Sequence, residues 1–320
     1  MDAQIEAACR YYDDRYDIVF QHMWQSHEKR ELREYNYRLC RFCKRSEPEV
    51  TFKNVAHAVP EALGNRGLTS NYECDACNSH FGSTIETDLG EWTKPARTFA
   101  RIRGKNGIPT IKKGPEKAWR IEYKDDQLVV KNYTDDPIVD IDEENKRIIL
   151  TLRRGAYTPI GVYKAFVKIG LTLMPETEMS PFHAALGWLQ ERDHAKNWVH
   201  GATIIHTFQN GPMPPDKLFA MILRRKPGVT DVPYAYLILG FGNDAYQVML
   251  PSPTEDQHLS GDELSIVPFP TPGGPDPMKY GRAMPKAIDL TSSTRLKGES
   301  VPIGLGFDQV SRVQPPKAAT

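Results

Sequence analysis

Apolar residues return at three- or four-residue steps from the start of the chain, at Ile5, Ala8, Tyr12, Tyr16, Val19 and Met23, with no proline among them. This spacing predicts a helical segment over residues 2–37. Residues 51–59 form a short segment rich in small and β-branched residues that stops at Pro60, residues 60–67 have loop composition, and residues 68–72 read as a second strand, which predicts strand, loop, strand. Beyond Cys77, the residues Phe81, Ile85, Leu89 and Trp92 fall at helical spacing, so an amphipathic helix follows. The order in this part of the chain is β, β, α.

Farther along, residues 119–133 and 138–152 read as strands, the second pair joined by a turn at residues 142–145. Residues 163–174 and 182–192 read as helices. In the first of these, Tyr163, Phe166, Val167, Ile169, Leu171, Leu173 and Met174 leave little polar circumference, the mark of a core helix. Strands are expected at 199–208, 219–223, 234–241 and 246–250, with a hairpin turn at 242–244. From Pro251 the density of Pro, Gly and Ser predicts a loop-rich end with mobile last residues. The expected fold class is α+β: an N-terminal helical segment (1–37), a ββα unit (38–110), an α+β domain of mixed strands and helices (111–250) and a loop-rich region (251–320).

Length and composition fit this division. The 320 residues suit two domains, and 40% hydrophobic with 26% charged residues excludes a disordered or collagen-like chain. No apolar run approaches the ~18 residues of a membrane span, and residues 1–10 lack a secretory pattern, so a cytoplasmic protein without membrane contact is expected. Charge balances overall, 41 basic against 41 acidic, but not locally. Residues 94–120 carry nine basic side chains and one acid, Glu116, whereas 121–147 carry nine acids and four bases. The reversal marks a boundary near 110–120.

Cysteine use changes the picture most. Cys40 and Cys43, then Cys74 and Cys77, form two Cys-x-x-Cys pairs, while Cys9 stands alone and reads as a small buried residue. Two such pairs suit a structural zinc ion, each giving two thiolates to a tetrahedral site, in preference to disulfides or a redox pair. Between the pairs lie Ala56-His57-Ala58-Val59-Pro60, the loop residues Leu63-Gly64-Asn65, and Asn71; Asn78 directly follows the second pair. Together these features, over about residues 38–95, resemble the zinc-stapled branch of the HNH, or ββα-metal, endonuclease family.

The resemblance implies a catalytic constellation. His57 would be the general base that activates water, as a neutral imidazole can near pH 7. Asn71 would brace the hairpin through its side chain, and Asn78 would ligate catalytic Mg2+ or Mn2+ beside the structural Zn2+. His80 also fits the last motif position. It lies about 200° around the helix from Asn78, so the two are not expected to share one metal. The chain departs from the family at Ala56, where many members carry an acidic metal ligand. Glu61, Asp75, Glu86, or waters and substrate phosphate are the candidates to replace it, and a degenerate nuclease is the alternative.

DNA is the expected partner, with Lys94, Arg97, Arg101, Arg103 and Lys105 as phosphate contacts that would make binding salt-dependent. The resemblance also points to bacterial restriction or phage-defence systems, and so to a defence-system partner protein. A cut through both strands needs two sites, hence a possible homodimer. The C-terminal part would select the target, contact a partner or hold the nuclease latent. His183, His194, His200 and His206 match no compact ligand spacing and are given no chemistry. The reading from another functional class is a non-catalytic, zinc-dependent nucleic-acid-binding protein.

Overall fold

The computed structural model describes residues 3–25, 28–33, 37–113, 119–125, 127–132, 138–194, 201–259, 264–271 and 276–309. His200, the Val199 end of a predicted strand, Lys117 of the basic run and the last eleven residues lie outside these. Helix α1 (Ala3–Arg15) is followed by strands β1 (Tyr16–Gln25) and β2 (Arg30–Leu32), where the apolar spacing predicted more helix. Ile18, Val19, Phe20 and Trp24 are β-branched or aromatic, and pairing along a partner strand at residues 217–225 outweighs a spacing that both periods satisfy. Helix α1 has Tyr12 as its buried residue, and Cys9 is exposed, not buried as expected.

The predicted ββα unit is present as β3 (Ala56–His57), β4 (Leu68–Ser70), α2 (Asp75–Ser83) and α3 (Ile85–Phe99). Strand β2 extends it by pairing parallel to β4. The first strand is shorter than expected because the chain before it is tied to the start of α2. Asp75 accepts from Thr51 Oγ1 and from the backbone N–H groups of Lys53 (3.0 Å) and Asn54 (2.8 Å).

Strands β5 (Ile111–Lys113), β6 (Trp119–Lys124) and β7 (Gln127–Asn132) form a small antiparallel sheet. Strands β8 (Val139–Asp142) and β9 (Arg147–Arg153) form the predicted hairpin, its turn closed by Asp142 accepting from Asn145. Next come helices α4 (Pro159–Leu173) and α5 (His183–Gln190) and strands β10 (Thr203–Phe208), β11 (Lys217–Arg225), β12 (Ala235–Phe241) and β13 (Asp244–Leu250). The region after Pro251 is not simply loop. It contributes α6 (Pro277–Tyr280), β14 (Met284–Asp289), which joins the edge of the main sheet, and β15 (Ser300–Gly306), which pairs with β9.

Among the described residues, the main sheet is antiparallel in the order β1, β11, β12, β13, β10, β14. Helix α4 is buried over its whole length, between β12 and β13 of this sheet and α3 of the ββα unit. One core therefore runs from Phe42, Phe81 and Trp92 through Phe166 to Leu237 and Val248. Polar ties bind the ββα unit to α4 along its length. Asp88 Oδ1 accepts from Thr158 N at the start of α4 (3.1 Å), and Gly161 allows the approach, since a Cβ there would meet Asp88 Oδ2 at 2.3 Å. Lys168 in the middle of α4 meets Glu73 and Glu86. At the helix end the buried Arg41 guanidinium donates to the carbonyls of Leu171 (2.8 Å), Thr172 (3.0 Å) and Met174 (2.8 Å), placing a cation on the negative end of the helix dipole. Among the described residues, no helix is long and apolar enough to cross a membrane.

Candidate functional site

The four paired cysteines converge. Their Sγ atoms all lie within 4.8 Å of one another, the thiols are free, and Cys43 Sγ is 3.7 Å from Cys74 Sγ. A tetrahedron with Zn–S bonds of ~2.3 Å has an edge of about 3.8 Å, so this donor set fits zinc in size and chemistry. Local backbone builds it: Lys44 at φ +57 and the hydrogen bonds Cys40 N to Arg45 O and Lys44 N to Cys40 O fold the first pair into a tight knuckle. The second pair opens α2, with Cys74 before its first residue. Gln190 Nε2 of α5 donates to Cys77 Sγ at 3.6 Å, so the C-terminal part also supports the metal ligands.

His57 sits on the short β3 across from Thr69. Its Nε2 is 3.8 Å from Glu61 Oε2, whereas its Nδ1 is buried and unpartnered. Burial pushes its pKa below the ordinary 6.5, with Lys168 and Lys105 acting in the same direction and Glu61 and Glu86 opposing. A histidine held neutral in this way can accept a proton at neutral pH. The local chain explains the half-buried placement of the ring: Ala56, Ala58 and Val59 are buried around it, and Pro60 precedes the short 3-10 turn that carries Glu61.

The hairpin brace is Asn65, not Asn71. The buried Asn65 side chain donates to the carbonyls of Val59 (2.6 Å) and Leu68 (2.8 Å) and accepts from the N–H groups of Gly67 (3.2 Å) and Leu68 (2.8 Å). Asn71 instead contributes a backbone N–H to Leu32 O. The signal was an Asn two residues before a Gly, a pattern that closes turns through the Asn carbonyl. Asn65→Ala should cost about 3 kcal/mol, since it leaves several buried backbone groups unpaired. Chemical denaturation of the zinc-loaded protein would read this as a lowered midpoint.

Asn78 is half-buried in the second turn of α2. Gly82, one turn on and on the same face, has open space where a Cβ would stand, so this face of the helix is accessible. His80 turns to other groups: its pKa is lowered by burial and then by Arg192 and Lys164, none of them among the charges acting on His57. Of the acids considered for the gap at Ala56, the Asp75 carboxylate is engaged by residues 51–54, whereas Glu61 and Glu86 both act on His57. Glu73, unremarked in the sequence, is fully buried beside Lys168, and burial raises its pKa to about 7 against the pull of that ammonium.

The basic residues divide. Arg97 is buried and spends its guanidinium on Thr93 Oγ1 and the carbonyls of Ala62 and Gly90, so it is a structural tie and not an exposed phosphate contact. Lys94 lies 3.7 Å from Glu91. Arg101, Arg103 and Lys105 are exposed, and their loop packs against the turn that carries Glu61: a Cβ on Gly104 would lie 3.3 Å from Ala62 Cα.

Residues 40–92 match the family model of HNH endonucleases. Comparison with curated proteins and with solved structures finds no match to this chain. The matched segment begins at the first zinc-site cysteine and takes in the hairpin, His57 and the helices that follow. Both the side-chain chemistry and the family match thus fall on the same residues, and it is the ββα unit of this chain that matches the HNH endonuclease family.

Proposed function

We propose that the chain is a metal-dependent endonuclease that hydrolyses DNA phosphodiester bonds, with His57 as general base and zinc as a structural staple. The observation that carries this reading is the state of His57: a neutral-leaning imidazole, with a buried, unpartnered Nδ1 and an acid at Nε2, on the hairpin that the zinc site and Asn65 hold rigid. Glu61, 3.8 Å from Nε2, would stabilise the imidazolium formed when that nitrogen takes the proton of water.

Asn78, with Glu61 or Glu86 replacing the acid absent at position 56, supplies the hard oxygen donors that Mg2+ or Mn2+ prefers. Among the described residues the cysteines are the single preformed cluster of three or more ligating side chains, which suits a catalytic cation that keeps several waters. When bound, that cation would neutralise charge developing on the phosphate and the departing oxygen. Arg101, Arg103 and Lys105 at the rim would track the backbone of the nucleic acid, and His80, near Arg192 and Lys164, is a further candidate for phosphate contact. A place in restriction or phage defence rests on the resemblance of the whole chain's layout to such nucleases.

One observation favours a second reading. Position 56 holds a buried alanine in place of a carboxylate, as a zinc-dependent nucleic-acid-binding protein without catalysis would allow. Nicking of supercoiled plasmid by the zinc-loaded chain in Mg2+ or Mn2+, lost when the divalent cation is withheld, separates the two. The binding protein would retain DNA and leave it intact.

A further inference from the structure

Lys168 belongs to α4, far in sequence from the matched segment, yet its ammonium is enclosed between two carboxylates of the zinc-stapled unit. Nζ donates to Glu86 Oε1 at 3.0 Å and lies 3.0 Å from Glu73 Oε2. Side-chain exposure is 1% for Lys168, 0% for Glu73 and 18% for Glu86, so Glu86 alone of the three reaches toward solvent. The Phe42 and Phe81 rings flank the ammonium at 5.9 and 5.7 Å.

Burying one ammonium and two carboxylates is costly, and an apolar trio of similar volume would tie α4 to α2 and α3 at least as well. The charges therefore need another reason. Glu86 stands one helical turn beyond Gly82, just past the break at Thr84 that separates α2 from α3, and it lies close enough to His57 to act on its charge. Its Oε1 is held by Lys168, which leaves Oε2 as a donor.

We propose that Lys168 is a positioning residue for the nuclease site: it fixes the Glu86 carboxylate so that its second oxygen serves the catalytic divalent cation, in place of the acid missing at position 56. This rests on the metal-dependent nuclease reading above. It also gives the C-terminal part a role within the site itself, because the residue that orients the ligand comes from the helix at the centre of that part.

The test is the double variant Lys168→Met/Glu73→Gln in zinc-loaded, full-length protein. It removes the ammonium that holds Glu86 Oε1 and, with it, the carboxyl group that would otherwise lose its buried partner. Mn2+ binding, followed by the electron paramagnetic resonance of the free ion, should weaken about 10- to 100-fold, as loss of an outer-sphere partner does. The kcat for DNA cleavage at fixed Mn2+ should fall with it, while the KM for DNA stays at the wild-type value because Lys168 is shut off from solvent. Glu73→Gln alone, which keeps the Lys168 to Glu86 bond, should weaken Mn2+ binding less than the double variant does.

A folded, zinc-containing double variant that binds Mn2+ and cleaves like wild type would overturn the proposal and leave Lys168 a tie between elements. Should the double variant fail to fold, Glu86→Gln, which keeps the Lys168 to Glu73 pair, carries the test: wild-type Mn2+ affinity in that variant overturns the proposal. Wild type that binds Mn2+ but does not cleave would sink the nuclease reading while the affinities still decide on Lys168. Wild type that does not bind Mn2+ would sink both.

Discussion

Substituting Cys40 or Cys77 by Ser should unfold the ββα unit and abolish every activity of the chain. The cysteines lie where strands of two and three residues meet a helix that begins at the second pair, and segments that short bury too little to hold themselves. Structural zinc in comparably small units is worth about 10–16 kcal/mol of folding free energy. The loss should spread beyond the unit, because Arg41, in the first knuckle, caps the end of α4, and Tyr72, just before the second pair, donates to Thr172 O at 2.6 Å. Metal analysis should find one equivalent of zinc in wild type and a deficit in the variants. Their thermal unfolding should lose cooperativity or move down sharply. A Cys40→Ser protein with wild-type stability and no zinc would show that the four thiols are not a staple.

Replacement of His57 by Ala should reduce cleavage about 10³-fold, in the middle of the range for a positioned general base, while zinc content and DNA binding stay as in wild type. The ring is half-buried and its Nε2 lies 3.8 Å from Glu61, so little of the fold depends on it. The pH profile gives an independent check, with a definite sign. The base works only as neutral imidazole, and burial lowers its pKa beneath the ordinary 6.5. Activity should therefore be full at neutral pH and fall only as the pH drops through a value below 6.5. Removing the opposing carboxylate in Glu61→Gln should move this acid limb farther down, since Glu61 favours the protonated ring. An acid limb above 6.5 would mean that another group titrates.

What could be read from the sequence was chemistry carried by local spacing. The cysteine pairs, the histidine before an apolar-Pro step and the turn of helix at the second pair all declare themselves within a few residues, and the structure assembles them as a ββα unit. The hairpins at 142–145 and 242–244 were legible for the same reason: turn residues act on their own neighbours. What failed required partners distant in sequence. Tyr16 to Gln25 became a strand because Lys217–Arg225 pairs with it, and no local period could announce that.

The same holds within the site. Lys164 and Lys168 interrupt an otherwise apolar helix, and the sequence names no acceptor for either. Their partners, Glu73 and Glu86 for Lys168 and the Glu191 carbonyl for Lys164, became visible only in three dimensions. The family resemblance points to Asn71 as the hairpin brace, whereas the side chain that bonds across the loop is that of Asn65, and only the folded loop shows whose amide fits inside it. Arg97 was counted with its basic neighbours because sequence does not show which face of α3 is buried there. The complete burial of α4 also reinterprets the C-terminal part. It supplies the helix against which the zinc-stapled unit folds.

The nuclease reading places the cutting of DNA at His57. Its most direct test is conversion of supercoiled plasmid to open-circular or linear form by zinc-loaded wild type and His57→Ala, side by side in Mg2+, Mn2+ and EDTA. The expected result is conversion by wild type in at least one metal, none in EDTA, and a rate about 10³-fold lower in a variant that retains its zinc. Equal rates for the two proteins, or no conversion by zinc-loaded wild type in either metal, would contradict it.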